Sequence, residues 1–373
     1  MASADLKDRV LASLHRQGFR LRGGLILPPN PTDKNQIRRL HEEAVEARVS
    51  LARDGLRRHE PRLLSFIASG ADVVPERVLP HLVQLRPETE HELLFRYARL
   101  HWSIPISAGY GRRLRFLVLD ESNGKLIGIL GIGDPVTNLH ARDQWIGWDR
   151  ETRRRRLQNV MDAFVLGAVP PYSKLLCGKL VASLVASDEV RAAFARKYGG
   201  RVSRIRRKPL DARLALITTT SALGRSSLYN RIRYDGQPVY IRVGFTRGSG
   251  EFHFSNGVYG DLLRLAQESC DATAKHSRWG TGFRNKREVI RKCLATLGLS
   301  RELVYHGIQR EVFVIPLARN TREFLRGEDT RLAWHHRSVA ALFSAFRERW
   351  LLPRAARDES YREFYREEYR LWE

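Results

Sequence analysis

The strongest constraint on the fold is an apolar run, residues 163–168, that stops at the prolines of Val169-Pro170-Pro171-Tyr172. Proline fixes φ and lacks a backbone donor, so a strand through this run ends there. The residues that follow predict a helix, and they place Cys177 near its start, between Lys174 and Lys179. The stretch therefore predicts a strand, a tight turn and a helix.

A helix start of this kind suits both phosphate and thiolate. Backbone N–H groups that lack partners in the first turn create a local positive field, which attracts anions and lowers the pKa of a nearby thiol. We therefore predict that phosphate binding and the chemistry of Cys177 share one site. The alternative is a packing role, because free cysteines are commonly buried.

The charge balance indicates the partner. The chain carries 65 Lys and Arg residues against 41 Asp and Glu residues, a formal net charge of +24. Such a field recruits polyanions through counterion release, so DNA is the first candidate. An acidic protein, an anionic membrane surface and a merely arginine-rich composition are the alternatives.

The three cysteines, Cys177, Cys270 and Cys293, form an odd set without Cys-x-x-Cys spacing. This pattern favours neither a disulfide framework nor a zinc knuckle, and it fits a reducing cytoplasm. The first residues lack the apolar stretch of a signal peptide, and no run is long enough to cross a bilayer. We expect a cytoplasmic, nucleoid-associated bacterial protein without a metal, a cofactor or membrane contact.

Hydrophobic patterning predicts an α+β fold in three parts. Residues 1–100 are typical of a mainly helical DNA-gripping region with a small hairpin around Gly23-Gly24; a helical lid over the next domain is the alternative. Residues 101–260 predict a mixed α/β catalytic core, in which Asn123-Gly124 forms the turn of a β-hairpin. Residues 261–373 predict a mainly helical C-terminal region with one late strand.

A second anion-type segment follows a predicted strand at residues 214–220. The strand leads into Gly224-Arg225-Ser226-Ser227, and Tyr229, Asn230 and Arg231 come directly afterwards. A strand that leads into a Gly/Ser/Arg loop and a helix has the general layout of an anion site, although it lacks the P-loop pattern. We expect this loop to lie beside the helix start described above.

Further basic residues extend the predicted DNA surface. Four consecutive arginines, residues 153–156, form either a strand-gripping ridge or a solvated helix face. A hairpin turn at residues 246–250 is rich in glycine and basic, and residues 278–287 mix aromatic and guanidinium groups; ordinary loops are the alternative. The predicted contacts in these and neighbouring segments are Arg112, Arg113, Arg153, Arg154, Arg247 and Arg284.

Several motifs follow one another in a recognisable order. They are Gly109-Tyr110-Gly111-Arg112-Arg113, Gly131-Ile132-Gly133-Asp134-Pro135, Arg142-Asp143 with Trp145, Pro171-Tyr172 with Gly178-Lys179-Leu180, residues 219–230, and His306-Gly307. Together they resemble one family, that of the Druantia anti-phage protein DruA. The resemblance runs from about Trp102 to Trp350 and implies a role in phage defence or in a mobile element, with partner proteins. For transposase-like members it implies a cysteine nucleophile, and Cys177 is the cysteine in such a motif.

A second resemblance is structural and partial. The order of strand, Val-Pro-Pro-Tyr, helix, strand and a helix carrying Leu228-Tyr229-Asn230 is similar to the core of the GNAT superfamily of N-acetyltransferases. It implies a mixed sheet flanked by helices. In that superfamily a glycine-containing loop grips the pyrophosphate of coenzyme A, but Cys177 and Lys179 stand at the two glycine positions here. Of the coenzyme A site, the sequence therefore retains a helix start that attracts phosphate, with a thiol in it.

The leading hypothesis is a DNA breaking and rejoining enzyme, a transposase or recombinase that acts as a homodimer. The thiolate of Cys177 attacks a backbone phosphate and forms a transient phospho-cysteine link. This chemistry needs a depressed thiol pKa, neutralisation of the transition-state charge and a proton donor. The predicted catalytic residues are Cys177, Tyr229 and His253, and the phosphate contacts at the site are Lys174, Lys179, Arg225, Ser226, Ser227, Asn230 and Arg231.

Three other functions stay open. One is a coenzyme-A-dependent acyltransferase acting on DNA or nucleotides, with Tyr229 as the general acid. Another is a non-catalytic DNA-binding subunit of an anti-phage defence system, which needs no thiol at the helix start. The last is a metal-dependent nuclease, for which Asp134, Asp143, Asp149 and Glu311 must converge although they lack a recognisable ligand spacing.

Overall fold

The computed structural model describes residues 3–30, 32–106, 111–202, 207–255, 257–272 and 283–373. The strands are β1 Arg20–Arg22, β2 Leu25–Leu27, β3 Pro80–Gln84, β4 Arg113–Asp120, β5 Lys125–Gly133, β6 Val160–Ala168, β7 Leu216–Thr220, β8 Arg233–Tyr234, β9 Gln237–Pro238, β10 Ile241–Phe245 and β11 Glu311–Pro316. The helices are α1 Ser3–Arg16, α2 Lys34–Arg39, α3 Glu42–Leu56, α4 Glu60–Leu64, α5 Glu90–Ala98, α6 His140–Ile146, α7 Arg150–Arg156, α8 Cys177–Leu184, α9 Asp188–Tyr198, α10 Val258–Ser269, α11 Phe283–Thr296, α12 Thr321–Arg326, α13 Val339–Phe346 and α14 Leu352–Ala355.

One mixed sheet of seven strands organises the molecule, in the order β10-β11-β7-β6-β5-β4-β3. The neighbouring strands are antiparallel except for β6 and β7. The predicted hairpin is confirmed: Asp120 pairs with Lys125 at the end of β4 and β5, and Asn123-Gly124 lies in the turn between them. The α+β class, with a mixed sheet and flanking helices, is likewise confirmed.

The parallel pair β6 and β7 is short. It joins Val160 to Leu216 and Asp162 to Thr218 at its two ends, and beyond this point β6 continues along β5. Helices α8 and α9 make the connection from β6 to β7 and cover one face of the sheet, where their apolar residues enter the largest core. A parallel pair requires such a crossover, because a tight turn reverses the chain direction.

Two local predictions are wrong: the helix after the Gly/Ser/Arg loop and the hairpin turn at residues 246–250. The segment after the Gly/Ser/Arg loop forms a single 3-10 turn, Tyr229–Arg231, because Ser226 Oγ accepts the N–H groups of Leu228 and Tyr229 and the chain then enters β8. The turn at residues 246–250 does not join consecutive strands, because β10 pairs with the distant strand β11.

The buried cores do not follow the three predicted parts of the chain. Apolar residues from α1 to α2 pack with residues of α10 and α11, so the N-terminal hairpin β1–β2, which is confirmed, belongs to a module built from the N-terminal segment and residues 254–308. Residues of α3 to α5 form another core with the C-terminal tail. There Tyr97 donates to Glu60 and to the Tyr369 carbonyl oxygen at 2.8 and 2.6 Å.

Three buried histidines join that N-terminal module to the sheet. His41 Nδ1 donates to the Ile37 carbonyl oxygen at 2.7 Å, and its Nε2 accepts from Arg310 at 3.1 Å. His253 Nε2 donates to the Leu303 carbonyl oxygen at 2.8 Å. His306 Nδ1 accepts from a backbone N–H. Burial lowers the pKa of His41 and His253 to about 4 and that of His306 to about 2, so these rings are neutral.

This cluster predicts acid lability. The folded pKa values lie below the ordinary value of 6.5, so the histidines stabilise the fold above that pH, and their contribution is lost as pH falls towards 4. Glu251, whose pKa burial raises to about 7, offsets part of the loss. Denaturant unfolding measured between pH 7 and 4.5 should show a steep decline in the free energy of unfolding. Each unit by which burial lowers the pKa of one histidine corresponds to about 1.4 kcal/mol.

The slope of the unfolding free energy against pH reports how many protons the chain takes up on unfolding. Replacing His253 with Phe should reduce this number by close to one, whereas replacing the exposed His140 with Gln should leave the slope unchanged. An identical slope in the wild type and His253→Phe contradicts the assignment.

Candidate anion-binding site

The predicted helix start is confirmed, because α8 begins at Cys177 directly after the turn that follows β6. The backbone donors of this turn are occupied. The N–H groups of Ser173, Lys174, Leu175, Leu176 and Cys177 all donate to backbone carbonyl oxygens between residues 169 and 173. The N–H groups of the turn that precedes α8 are therefore already bonded, unlike those of a nucleotide-binding loop.

Cys177 lies in the interior. Its side chain is fully buried, and its Sγ is directed at the Leu175 carbonyl oxygen at 4.0 Å. Burial, together with the nearby carboxylate of Asp120, raises the pKa of the thiol well above its usual range. The expected lowering of this pKa is wrong, because removal from water outweighs the field of the helix start. A nucleophilic role for Cys177 stays a prediction.

The two lysines do not flank the thiol. Lys174 is exposed, and its Nζ donates to the Ser360 carbonyl oxygen at 2.9 Å. Lys179 extends to the other side of α8, where its Nζ lies 4.2 Å from the centre of the Trp350 ring. Each lysine therefore has a separate environment, and Lys179 lines a cleft.

The Gly/Ser/Arg loop is held by a buried carboxylate. Glu311, which is 3% exposed, accepts the Ser226 N–H at 2.7 Å, and its own N–H donates to the Ser221 hydroxyl. Asn230 donates to the Ser226 carbonyl oxygen at 2.8 Å. With Ser226 bound inside the loop, Arg225 and the remaining side chains at its tip lie on the surface.

This loop and α8 are in contact, as expected from the sequence. Leu228 Cδ1 lies 3.5 Å from the position that a Cβ at Gly178 would occupy. Arg231, at the end of the loop, is close enough to lower the pKa of Lys179 by charge repulsion. The two predicted segments thus contribute cations to one region.

That region is a cleft between α8, strand β8 and the π-helical turn Arg347–Leu351 that follows α13. Lys179 is only 9% exposed, and burial is the main cause that lowers its pKa, ahead of repulsion by Arg231 and Arg354. Within the described ranges, no carboxylate pairs with Lys179, Arg231 or Arg349. The lining residues that carry polar or aromatic groups are Lys179, Ser183, Arg233, Tyr234, Phe346, Arg349 and Trp350.

The two predicted proton donors lie in different places. Tyr229 stacks on Tyr240 with ring centres 4.6 Å apart, and burial raises its pKa to about 12. His253 belongs to the histidine cluster of the N-terminal module, in a core separate from that of Cys177. The structure therefore does not bring Cys177 and His253 together.

Several predicted DNA-binding arginines are engaged within the fold. Arg112 pairs with Asp134 at 2.6 Å, Arg153 pairs with Asp143 at 3.0 Å, and Arg113 lies over the Phe164 ring. Within the run 153–156, Arg155 and Arg156 also have acidic partners. The exposed predicted residues are Arg154, Lys174, Arg225, Ser227, Asn230, Arg231 and Arg247.

Part of one predicted segment is outside the described residues. This applies to residues 278–282, and the side chain of Arg284, which lies in α11, is likewise not described.

The carboxylates of the nuclease hypothesis have separate partners. Asp134 and Asp143 pair with arginines, Asp149 caps α7 through Thr152, and Glu311 holds the loop.

Two features escaped the sequence-based search. Asp162 accepts from the Thr218 hydroxyl at 2.7 Å, and burial raises its pKa to about 6. Its signal is a single carboxylate inside an apolar strand. Arg349 and Trp350 line the cleft, although the C-terminal tail contains no recognisable binding motif. The feature of the sequence that indicates them is an Arg-Trp pair beside an apolar helix.

The chain was compared with known proteins. A family model described as Druantia protein DruA matches residues 31–327. This chain belongs to the DruA family. It is 41% identical over 377 residues to the Druantia protein DruA of Escherichia coli (strain UMEA 4076-1), which covers 100% of this chain and 90% of that protein. No solved structure gives a significant match. No described helix of this DruA-family chain is both long and apolar enough to span a membrane.

The burial of Cys177 predicts low reactivity. In a Cys270→Ala variant, which removes the partly exposed thiol, a water-soluble disulfide reagent should label neither remaining cysteine in the native state and both after unfolding. Replacing Cys177 with Ala should lower the free energy of unfolding by about 1 kcal/mol, because it removes one buried, well-packed atom. Rapid native labelling of Cys177, located by mass spectrometry, contradicts this geometry.

Proposed function

We propose that this protein is a DNA-binding component of an anti-phage defence system, with the cationic region around α8 and the Glu311-held loop as its binding surface. Its membership of the DruA family supports the defence role. The single observation that carries DNA binding is a set of cations, Lys179 and Arg349 in the lining of the cleft and Arg231 near Lys179, which have no carboxylate partner among the described residues.

The physical reason is the cost of desolvated charge. A lysine taken out of water and placed near other cations is unfavourable unless an anion compensates it. Phosphate groups of a nucleic acid supply that anion, and the formal net charge of +24 attracts them over distance. Arg225, on the neighbouring loop, and Arg247 are also exposed and add to the cationic surface of the molecule. A homodimer, association with the nucleoid and defence-system partner proteins belong to this proposal.

Strand breakage by Cys177 gains no support from the contacts described above. The thiol is sealed between α8 and the sheet, so a phosphate reaches it only after α8 moves. Transposase or recombinase activity therefore stays a prediction, as do the catalytic roles of Tyr229 and His253. A DNA-binding subunit requires none of these steps.

The acyltransferase hypothesis has one structural point in its favour. Strand β6, helix α8 and strand β7 follow one another in the order that the resemblance to an N-acetyltransferase-like core implies. The occupied N–H groups before α8 count against coenzyme A, because pyrophosphate recognition at a helix start depends on free donors. Calorimetry with acetyl-coenzyme A tests this candidate, and the absence of heat at high concentration retires it.

The electrostatic proposal predicts salt-dependent binding. Fluorescence anisotropy with labelled DNA should give an affinity that falls linearly with the logarithm of salt concentration. Replacing Arg225 and Arg231 with Gln should weaken binding and reduce the slope by roughly 0.7 to 0.9 for each lost phosphate contact.

Arg62→Gln is the matched control, since Arg62 is equally exposed but pairs with Glu90. It should leave the slope unchanged. Salt-insensitive binding, or no binding at low salt, overturns the proposed function.

A further inference from the structure

We propose that the cleft over Lys179 holds an unpaired nucleic-acid strand, with a phosphate at the Lys179 ammonium group and a base against Trp350. This inference rests on the proposed function and names the form of nucleic acid that the site takes. It concerns the cleft lined by α8, β8 and the turn Arg347–Leu351.

The depth of Lys179 selects against a duplex. Lys179 is 9% exposed, whereas Arg231, Arg233 and Arg349 around the cleft are exposed. A single phosphate that approaches the cleft therefore meets the buried Lys179 ammonium group together with exposed guanidinium groups. Duplex phosphates lie on a stiff, convex backbone, while a single strand bends freely enough to insert one phosphate.

The aromatic lining favours bases that are free to stack. Trp350 and Tyr234 are half-buried, and both line the cleft. Single-stranded nucleic acids bind proteins by stacking bases on such rings while cations track the backbone. In a duplex the base faces are covered by neighbouring pairs, so Trp350 has nothing to stack on.

Cations already lie over the Trp350 ring, which shows that its faces attract positive groups. Lys179 Nζ and the Arg349 guanidinium are 4.2 and 5.2 Å from the ring centre. Arg349 is exposed and has no acidic partner in the described residues, so an incoming base displaces it at small cost or stacks between it and the ring. The π-helical turn sets Arg349 and Trp350 side by side at the cleft, and such turns recur at functional sites.

The experiment compares two labelled probes of the same sequence, a single-stranded DNA oligonucleotide and its duplex. Lys179→Met, which keeps the length of the side chain, and Trp350→Leu are tested against Lys125→Met, whose lysine lies at the start of β5, outside the proposed surface, and donates to the Ser65 carbonyl oxygen. Both cleft variants should weaken single-strand binding about tenfold, with duplex binding changed by less than about twofold. Lys125→Met should behave like the wild type.

A second measurement uses the wild-type protein, so that it does not depend on how the variants fold. A single-stranded oligonucleotide containing 5-iodouracil is cross-linked by light, and mass spectrometry locates the modified residue. Trp350 or Tyr234 is the expected site. Excess inorganic phosphate and a free mononucleotide serve as competitors, and neither should displace the strand at concentrations that suffice for the unlabelled oligonucleotide.

The outcomes separate the two proposals. Binding of neither probe overturns the proposed function. Binding of both probes with equal affinity, unaffected by Lys179→Met and cross-linked away from the cleft, overturns the single-strand inference and leaves DNA binding intact. Displacement by phosphate or mononucleotide alone identifies a small-anion site and likewise overturns the inference.

Discussion

The close contact between helix α8 and the sheet is the constraint on which the rest of the site depends. It is possible because residue 128 of β5 is glycine. A Cβ there would lie 2.8 Å from Val181 and 2.4 Å from the Gly167 carbonyl oxygen. On the other side of α8, the Tyr240 hydroxyl donates to the Ala182 carbonyl oxygen at 2.7 Å. This packing excludes water from Cys177 and leaves Lys179 on the face towards Trp350, so the sealed thiol and the cationic cleft have one cause.

The charges near α8 are held in place by different means. Glu311 fixes the loop through the Ser226 N–H, so Arg225 and Arg231 project from a defined backbone rather than from a free loop. Among the described residues, Lys179 has the Trp350 ring rather than a carboxylate as its partner, and a cation–π contact offsets only part of the cost of burying an ammonium group. A residue kept at such a cost in stability is typical of a binding site.

Local features of the sequence predicted local structure well. The Asn123-Gly124 turn, the end of β6 at the prolines and the start of α8 follow from backbone preferences within a few residues. Pairings between distant segments were not predictable in this way. Strand β11 lies between β7 and β10, and the histidine cluster joins residues 41, 253 and 306, because tertiary packing rather than local preference selects these partners.

By itself, the sequence determined the charge of the molecule, its family resemblance and the position of Cys177 at a helix start. Only the tertiary structure decided what that position means chemically. The field of a helix start is a local property, whereas desolvation depends on every element packed around the thiol, and here it raises the pKa that the helix start alone would lower. For the same reason Lys179, two residues further along the helix, faces a cleft of distant residues. The residues that complete this cleft lie more than fifty and more than one hundred and fifty positions away in the sequence.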